Sequence, residues 1–166
     1  MKKSLLVLIA LCAGFGPVFP VMADNAHPTR PEIKYLPRET VTVETQAGQD
    51  YIFEVEMATN GEDQSRGLMY RTTLGSDAGM LFLFGDEEHR SFWMKDTFVP
   101  LDMIFIASDG TIRHIHHSAR PQDETRITSE GEAMAVLEIN AGLSGSLGIK
   151  EGDRVIHPAF RNVLAP

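Results

Sequence analysis

The chain has 166 residues, a formal charge of −8 and a single cysteine, Cys12. Its length suits one folded domain behind an apolar start. The acidic balance, with no Lys/Arg-rich run, makes nucleic acid and anionic membrane surfaces poor candidate partners.

The first 28 residues, MKKSLLVLIALCAGFGPVFPVMADNAHP, read as a secretory signal. Lys2 and Lys3 form the positive region and Leu5 to Ala13 the apolar region. Val21-Met22-Ala23 offers small residues for cleavage after Ala23. The apolar run is short for a membrane span, which needs roughly 20 residues. Residues 1–23 are therefore expected to be a cleavable signal peptide and the mature chain to be exported, periplasmic or extracellular. Cys12 falls inside the signal, so the mature chain is expected to lack a disulfide, a thiolate nucleophile and a thiolate metal site.

Residues 24–40 carry three prolines and no apolar period, which predicts an extended leader. The domain is expected over 41–166. Val41 to Thr45 alternates, Gln46-Ala47-Gly48-Gln49-Asp50 reads as a turn, and Tyr51, Phe53, Val55 and Met57 then share one face, which together predict a hairpin. Asn60 is placed to cap a short helix with Glu62 and Asp63 in its first turn. Met80 to Phe84 is a continuous apolar run suited to a buried strand. Ser91 to Met94 suggests a further strand, and Met103 to Ala107 pairs with Thr111 to His116 across Asp109-Gly110. Residues 118–132 read as a polar loop. Ala133 to Ile139 is a strand, Asn140 a cap for a helical turn ending at Gly148, and Arg154-Val155-Ile156 a last strand. Short strands with turn punctuation and two short helices predict an all-β domain, mainly antiparallel, folded as a single β-sandwich or barrel-like unit.

Five segments carry a resemblance: Arg66-Gly67-Leu68-Met69-Tyr70-Arg71; Gly79-Met80-Leu81-Phe82; Phe92-Trp93-Met94-Lys95-Asp96-Thr97 with Pro100-Leu101-Asp102; Val136-Leu137-Glu138 with Ala141-Gly142; and Gly148-Ile149 with Gly152-Asp153-Arg154-Val155. In this order the chain resembles domain-of-unknown-function family 192 (DUF192), small bacterial and archaeal proteins that are often exported. The resemblance runs from about Val41 to Val155. It implies one β-sandwich or barrel-like domain with short helices, and brings no agreed activity, substrate or cofactor. The family usually carries asparagine where this chain has Asp96, and both side chains can accept a hydrogen bond.

The densest chemical signal is Phe92 to Thr97. As a strand, this stretch would place Trp93, Lys95 and Thr97 on one face. Trp93 is the sole tryptophan. A flat aromatic beside polar groups suits a polar small molecule or saccharide in a cleft. The expected ligand-binding set is Arg66, Trp93, Lys95, Asp96, Asp102 and Glu138. Lys95 and Arg66 would donate to the ligand, and the carboxylates would accept from its hydroxyls or orient the two bases. A structural network, with function in a partner-binding surface, is the alternative use of the same residues. If Asp102 and Glu138 faced each other across a cleft, glycoside-type hydrolysis would be open. No complete catalytic constellation is present, and Gly-x-Ser-x-Gly, phosphate-loop and dinucleotide patterns are missing. His114 and His116 project to one face of a strand, with His117 opposite, and could offer imidazoles to copper or zinc given a third ligand. They fall outside the family segments. The methionines at 57, 69, 80, 94, 103 and 134 mostly sit in apolar runs as core filler. No cofactor is expected.

Overall fold

The computed structural model describes residues 32–163. The expected signal segment, residues 1–23, lies outside them, as do residues 24–31 of the leader. Among the described residues seven strands form one sheet: β1 (Arg38–Glu44), β2 (Asp50–Ala58), β3 (Ala78–Phe92), β4 (Leu101–Ile106), β5 (Ile112–Ala119), β6 (Ile127–Asn140) and β7 (Arg154–Ile156). Their spatial order is β5-β4-β6-β3-β2-β1-β7. Paired strands are antiparallel except β2 and β3, which run parallel. The chain returns to the start of β3 through helix α1 (Gly61–Arg66) and the coil behind it, the crossover that a parallel pair requires. A bridge from Thr111 to Arg154 ties the two outer strands together at one end, and the sheet curls into a half-barrel. The fold is thus all-β, mainly antiparallel and barrel-like. Helices α1 and α2 (Leu143–Leu147) are both short.

The two faces of the sheet bury separate apolar clusters. All seven strands contribute to the first, which includes Val43, Phe53, Leu81, Ile104, Ile115, Leu137 and Val155 and fills the curl. The second lies on the outer face of β3, β4 and β6, where Met80, Phe82, Met103, Phe105 and Val136 are covered by Leu68, Met94 and Val99. Strands buried on both faces have no polar side to alternate with. This explains the continuous apolar runs at 80–84 and 103–107; all six residues of β4 are buried.

Glycine sets the closest approach in the sheet. A Cβ on Gly79 would stand 2.5 Å from the Glu138 carbonyl oxygen of β6. At Gly110, in the turn between β4 and β5, φ is +88° and the neighbouring Val155 carbonyl leaves no room for a side chain.

Several local expectations are corrected. Ser91 and Phe92 do not start a separate strand. They end β3, which continues through Gly85 to Arg90 and pairs with residues of β6 that read as loop in the sequence, as in His89 with Glu132 and Ser91 with Thr128. The ladder shifts register twice there. This outer stretch is polar because it carries less of the core, so composition alone made it resemble a loop. Arg90 anchors it, its backbone N–H donating to Ser129 Oγ at 2.9 Å and its Nε to the Ala133 carbonyl at 2.9 Å. Asn60 caps α1 as expected, its Oδ1 accepting from Asp63 N at 3.1 Å. Asn140 does not cap α2. Its Nδ2 donates to the Gly75 carbonyl at 2.7 Å, and Gly142 precedes the helix.

The described part of the leader is extended and tied down. Leu36 N donates to Glu56 Oε2 at 2.7 Å, and Met57 N to the Pro37 carbonyl at 2.9 Å. Arg71 holds the same Glu56 oxygen at 2.8 Å, and its guanidinium lies 4.0 Å from the centre of the Tyr35 ring. Both Arg71 and Glu56 are buried, so they form a paired ion in the interior.

Candidate functional site

The outer face of β3 and β6 is incompletely covered. A hollow of about 380 Å³ opens between α1, the turn at Gly67 to Met69, the outer part of β3 and the segment after it. Arg66, Trp93 and Glu138 all border it, with Phe82, Phe92 and Thr97. Three stretches separated widely in sequence therefore meet. Glu138 arrives by register: it stands opposite Met80 of β3 and Met103 of β4, so its side chain shares their outer face.

Glu138 is 4% exposed and sits in an apolar setting. Burial alone pushes its carboxyl up to about 8; no hydrogen bond or neighbouring charge acts on it. Its carboxyl oxygens nevertheless are not sealed off as unpaired buried atoms. An acid deep in a hollow, reachable and without a partner among the described residues, is costly to the fold and available to a ligand.

Trp93 is 38% exposed at the mouth. It does not belong to a strand: β3 ends at Phe92, and Lys95 and Asp96 form a turn. The expected strand geometry of this stretch is thus corrected, yet Lys95 still reaches the indole, with its Nζ 5.3 Å from the ring centroid. Arg126 lies 5.2 Å from the same ring. Arg66 borders the hollow from the end of α1 and donates to the Glu32 carbonyl.

Asp96 does not border the hollow. Its backbone is left-handed, with φ 52°, its carbonyl accepts from Tyr70 N at 2.7 Å, and its Oδ2 accepts from the Tyr70 hydroxyl at 3.3 Å. Asparagine and aspartate are the side chains that best tolerate that backbone, which explains how either can fill this position. The turn joins Arg66-Gly67-Leu68-Met69-Tyr70-Arg71 to Phe92-Trp93-Met94-Lys95-Asp96-Thr97, so these two family segments are in contact through Tyr70 and Asp96.

Asp102 lies on the opposite face of the sheet from Glu138. It pairs with Ile139 in the ladder, one residue along from Glu138, and successive strand residues point to opposite sides. It is fully buried. Oδ1 accepts from Ser118 N at 2.8 Å and Gly142 N at 3.0 Å; Oδ2 accepts from Ser144 N at 3.0 Å and Ser144 Oγ at 2.6 Å. Burial pushes this carboxyl up, but the bonds from Ser144, Gly142 and Ser118 together outweigh it and hold the acid below its ordinary value. Asp102 thus fastens a bulge in β5 and the first turn of α2 to β4. The facing carboxylates that glycoside hydrolysis requires are not formed by Asp102 and Glu138.

The histidines take different surroundings. His114 stacks on Phe105 and directs Nδ1 at Glu151, 3.1 Å away. His117 Nδ1 is 3.1 Å from Ser144 Oγ. Burial lowers His116, with His114 and His117 adding to the effect. Among the described residues no group of three His, Cys, Asp or Glu side chains is arranged to hold a metal ion.

Sequence reasoning missed Arg126 and Arg90. Arg126 lies in the stretch that reads as loop; it immediately precedes β6, whose Ile127 pairs with Phe92, the residue before Trp93. Arg90 borders the hollow with its guanidinium 4.0 Å from the centre of the Phe84 ring. Nothing in the local pattern distinguishes either from a solvated arginine.

The chain is similar to two bacterial proteins of known structure. One, from Sinorhizobium meliloti 1021 and provisionally described as a transcription regulator, is 44% identical, with a TM-score of 0.74 over 77% of this chain and 98% of that one. The other, a protein of unknown function from Novosphingobium aromaticivorans DSM 12444, is 39% identical, with a TM-score of 0.71 over 87% of this chain and 94% of that one. No curated protein matches. Residues 42–157 match the family DUF192, described as an uncharacterized ACR. They include the turn at Asp96 and both acids, Asp102 and Glu138, and the chain belongs to the DUF192 family.

Proposed function

We propose that this is an exported domain that binds a polar small molecule, a saccharide in the first instance, in the hollow between Trp93 and Glu138. The observation that carries the proposal is Glu138: a reachable acid set among Phe82, Phe92 and Trp93, held by no donor among the described residues. A carboxyl in that state offers a hydrogen bond in either direction, donating when protonated and accepting when ionised. The indole at the mouth supplies a stacking face, and Thr97 and Arg66 supply further polar contacts. Asp96 and Asp102 brace the site without touching the ligand.

Trp93 is the only tryptophan, so its emission reports the hollow directly. Titration of a monosaccharide panel into the mature chain is expected to shift or quench that emission, and Glu138→Leu to abolish the response while the fold persists by circular dichroism. Unchanged emission across the panel, with no heat in calorimetry, defeats the proposal.

Support for export comes from the charged, apolar and small-residue succession before Asp24. Expression with the full leader is expected to yield a periplasmic product whose first residue is Asp24. A cytoplasmic product retaining Met1 overturns this part.

A regulator that reads DNA is less well supported. Neither α1, with six residues, nor α2, with five, has the length of a recognition helix, and the chain carries a formal charge of −8.

A further inference from the structure

We infer that the ligand of this hollow is an anionic saccharide, bound with its acidic group at the Trp93 mouth between Lys95 and Arg126 and its hydroxyls directed toward Glu138. This inference rests on the ligand-binding proposal above and adds the charge and the orientation of the ligand.

The local charge is opposite to that of the whole molecule. Lys95 and Arg126 both stand over one half-exposed indole, at 5.3 and 5.2 Å from its centroid. Of the three cations only Arg66 lines the hollow itself; Arg126 lines a neighbouring one with Arg120 and Asp123. No described carboxylate lies within ion-pairing distance of any of these three, whereas Lys34, Arg38, Arg71 and Arg90 each have one. Among the described residues the sole side-chain hydrogen bond of Arg126 is a long one of 3.5 Å to the neutral Ser91 hydroxyl. A single aromatic ring gives each cation only a weak attraction at an exposed site, and no described carboxylate neutralises either. A bound anion would do so, and would gain from both.

The same geometry fixes direction. An ionised acid driven inward would leave water for the apolar surroundings that raise Glu138, with no cation acting there to offset the loss. A neutral hydroxyl is taken from water at smaller cost and finds Glu138 and the buried Thr97 as partners. A neutral sugar would fill the hollow but leave the two cations uncompensated.

Three hexoses that differ chiefly at carbon 6 test this: glucose, glucuronate and glucose 6-phosphate, titrated against Trp93 emission and by calorimetry at low salt. At least one anionic sugar is expected to bind about tenfold more tightly than glucose, with the advantage shrinking as sodium chloride is raised. The advantage is expected to fall toward parity in Lys95→Ala/Arg126→Ala. Tighter binding of glucuronate assigns a carboxylate and tighter binding of glucose 6-phosphate a phosphate ester; either result supports the inference. Glucose binding as tightly as both anions overturns it and leaves the ligand-binding proposal standing. No response to any of the three, by either method, defeats both.

Discussion

Replacing Glu138 by glutamine is expected to remove most of the loss of stability that the wild-type protein undergoes between about pH 5 and pH 8. The sign follows from proton binding. The native carboxyl is raised to about 8 from a reference of 4.5, so between those values the folded chain binds more protons than the unfolded chain. Stability from this group is therefore whole below the unfolded value, falls as pH climbs through the interval, and levels off above the folded value. At about 1.4 kcal/mol per pH unit the full difference is on the order of 5 kcal/mol. Urea midpoints measured across pH for wild type and Glu138→Gln isolate the contribution of this side chain from those of the histidines, which both proteins share. Parallel curves would mean that Glu138 is solvated or paired, and the chemical reason for placing a ligand against it would vanish. A fold that keeps so costly a group, where leucine would be more stable, has the profile of a site held at the expense of stability.

The opposite outcome is expected at Asp102. Asp102→Ala leaves the N–H and hydroxyl of Ser144 without that acceptor in the interior, and the N–H groups of Ser118 and Gly142 without theirs nearer the surface. With each buried donor costing roughly 1–3 kcal/mol when unpaired, and water recovering part of that, a loss of about 3–5 kcal/mol follows. Its pH dependence also runs the other way. The folded carboxyl is held below its ordinary value, so its contribution is present above the unfolded value and is lost as pH falls through the folded one. Urea unfolding at pH 7 checks the magnitude, and the acid limb of the same experiment checks the direction. A change below 1 kcal/mol would show that the four hydrogen bonds do not hold the β5 bulge and α2 in place.

The contrast between these two acids explains how far the sequence could be read. Both lie in apolar stretches of a family motif, and both were grouped as ligand-binding candidates. Ladder register alone separates them: Met103 faces Glu138, while Asp102 faces Ile139. That relation depends on how two distant strands align, which neither segment encodes locally. Strand alternation at 51–57, the Asp109-Gly110 turn and the Asn60 cap were legible because each depends on neighbours in sequence. The outer half of the β3–β6 pair was not, because its residues are polar and its pairing is long-range. Trp93 stands out in the sequence by its type and company, although a turn rather than a strand brings Lys95 to it. Arg126 was invisible for the reason that Asp102 was misjudged.

The bridge between Thr111 and Arg154 has a consequence for behaviour at high concentration. Open β-sheets expose two rows of unpaired backbone groups, which invite other chains to add strands and begin aggregation. Here the outer strands meet at one end, and the free remainder of β5 is interrupted by the bulge opposite Asp102, which twists the edge away from a straight template. The protein is thereby defended against edge-to-edge association without a covering helix.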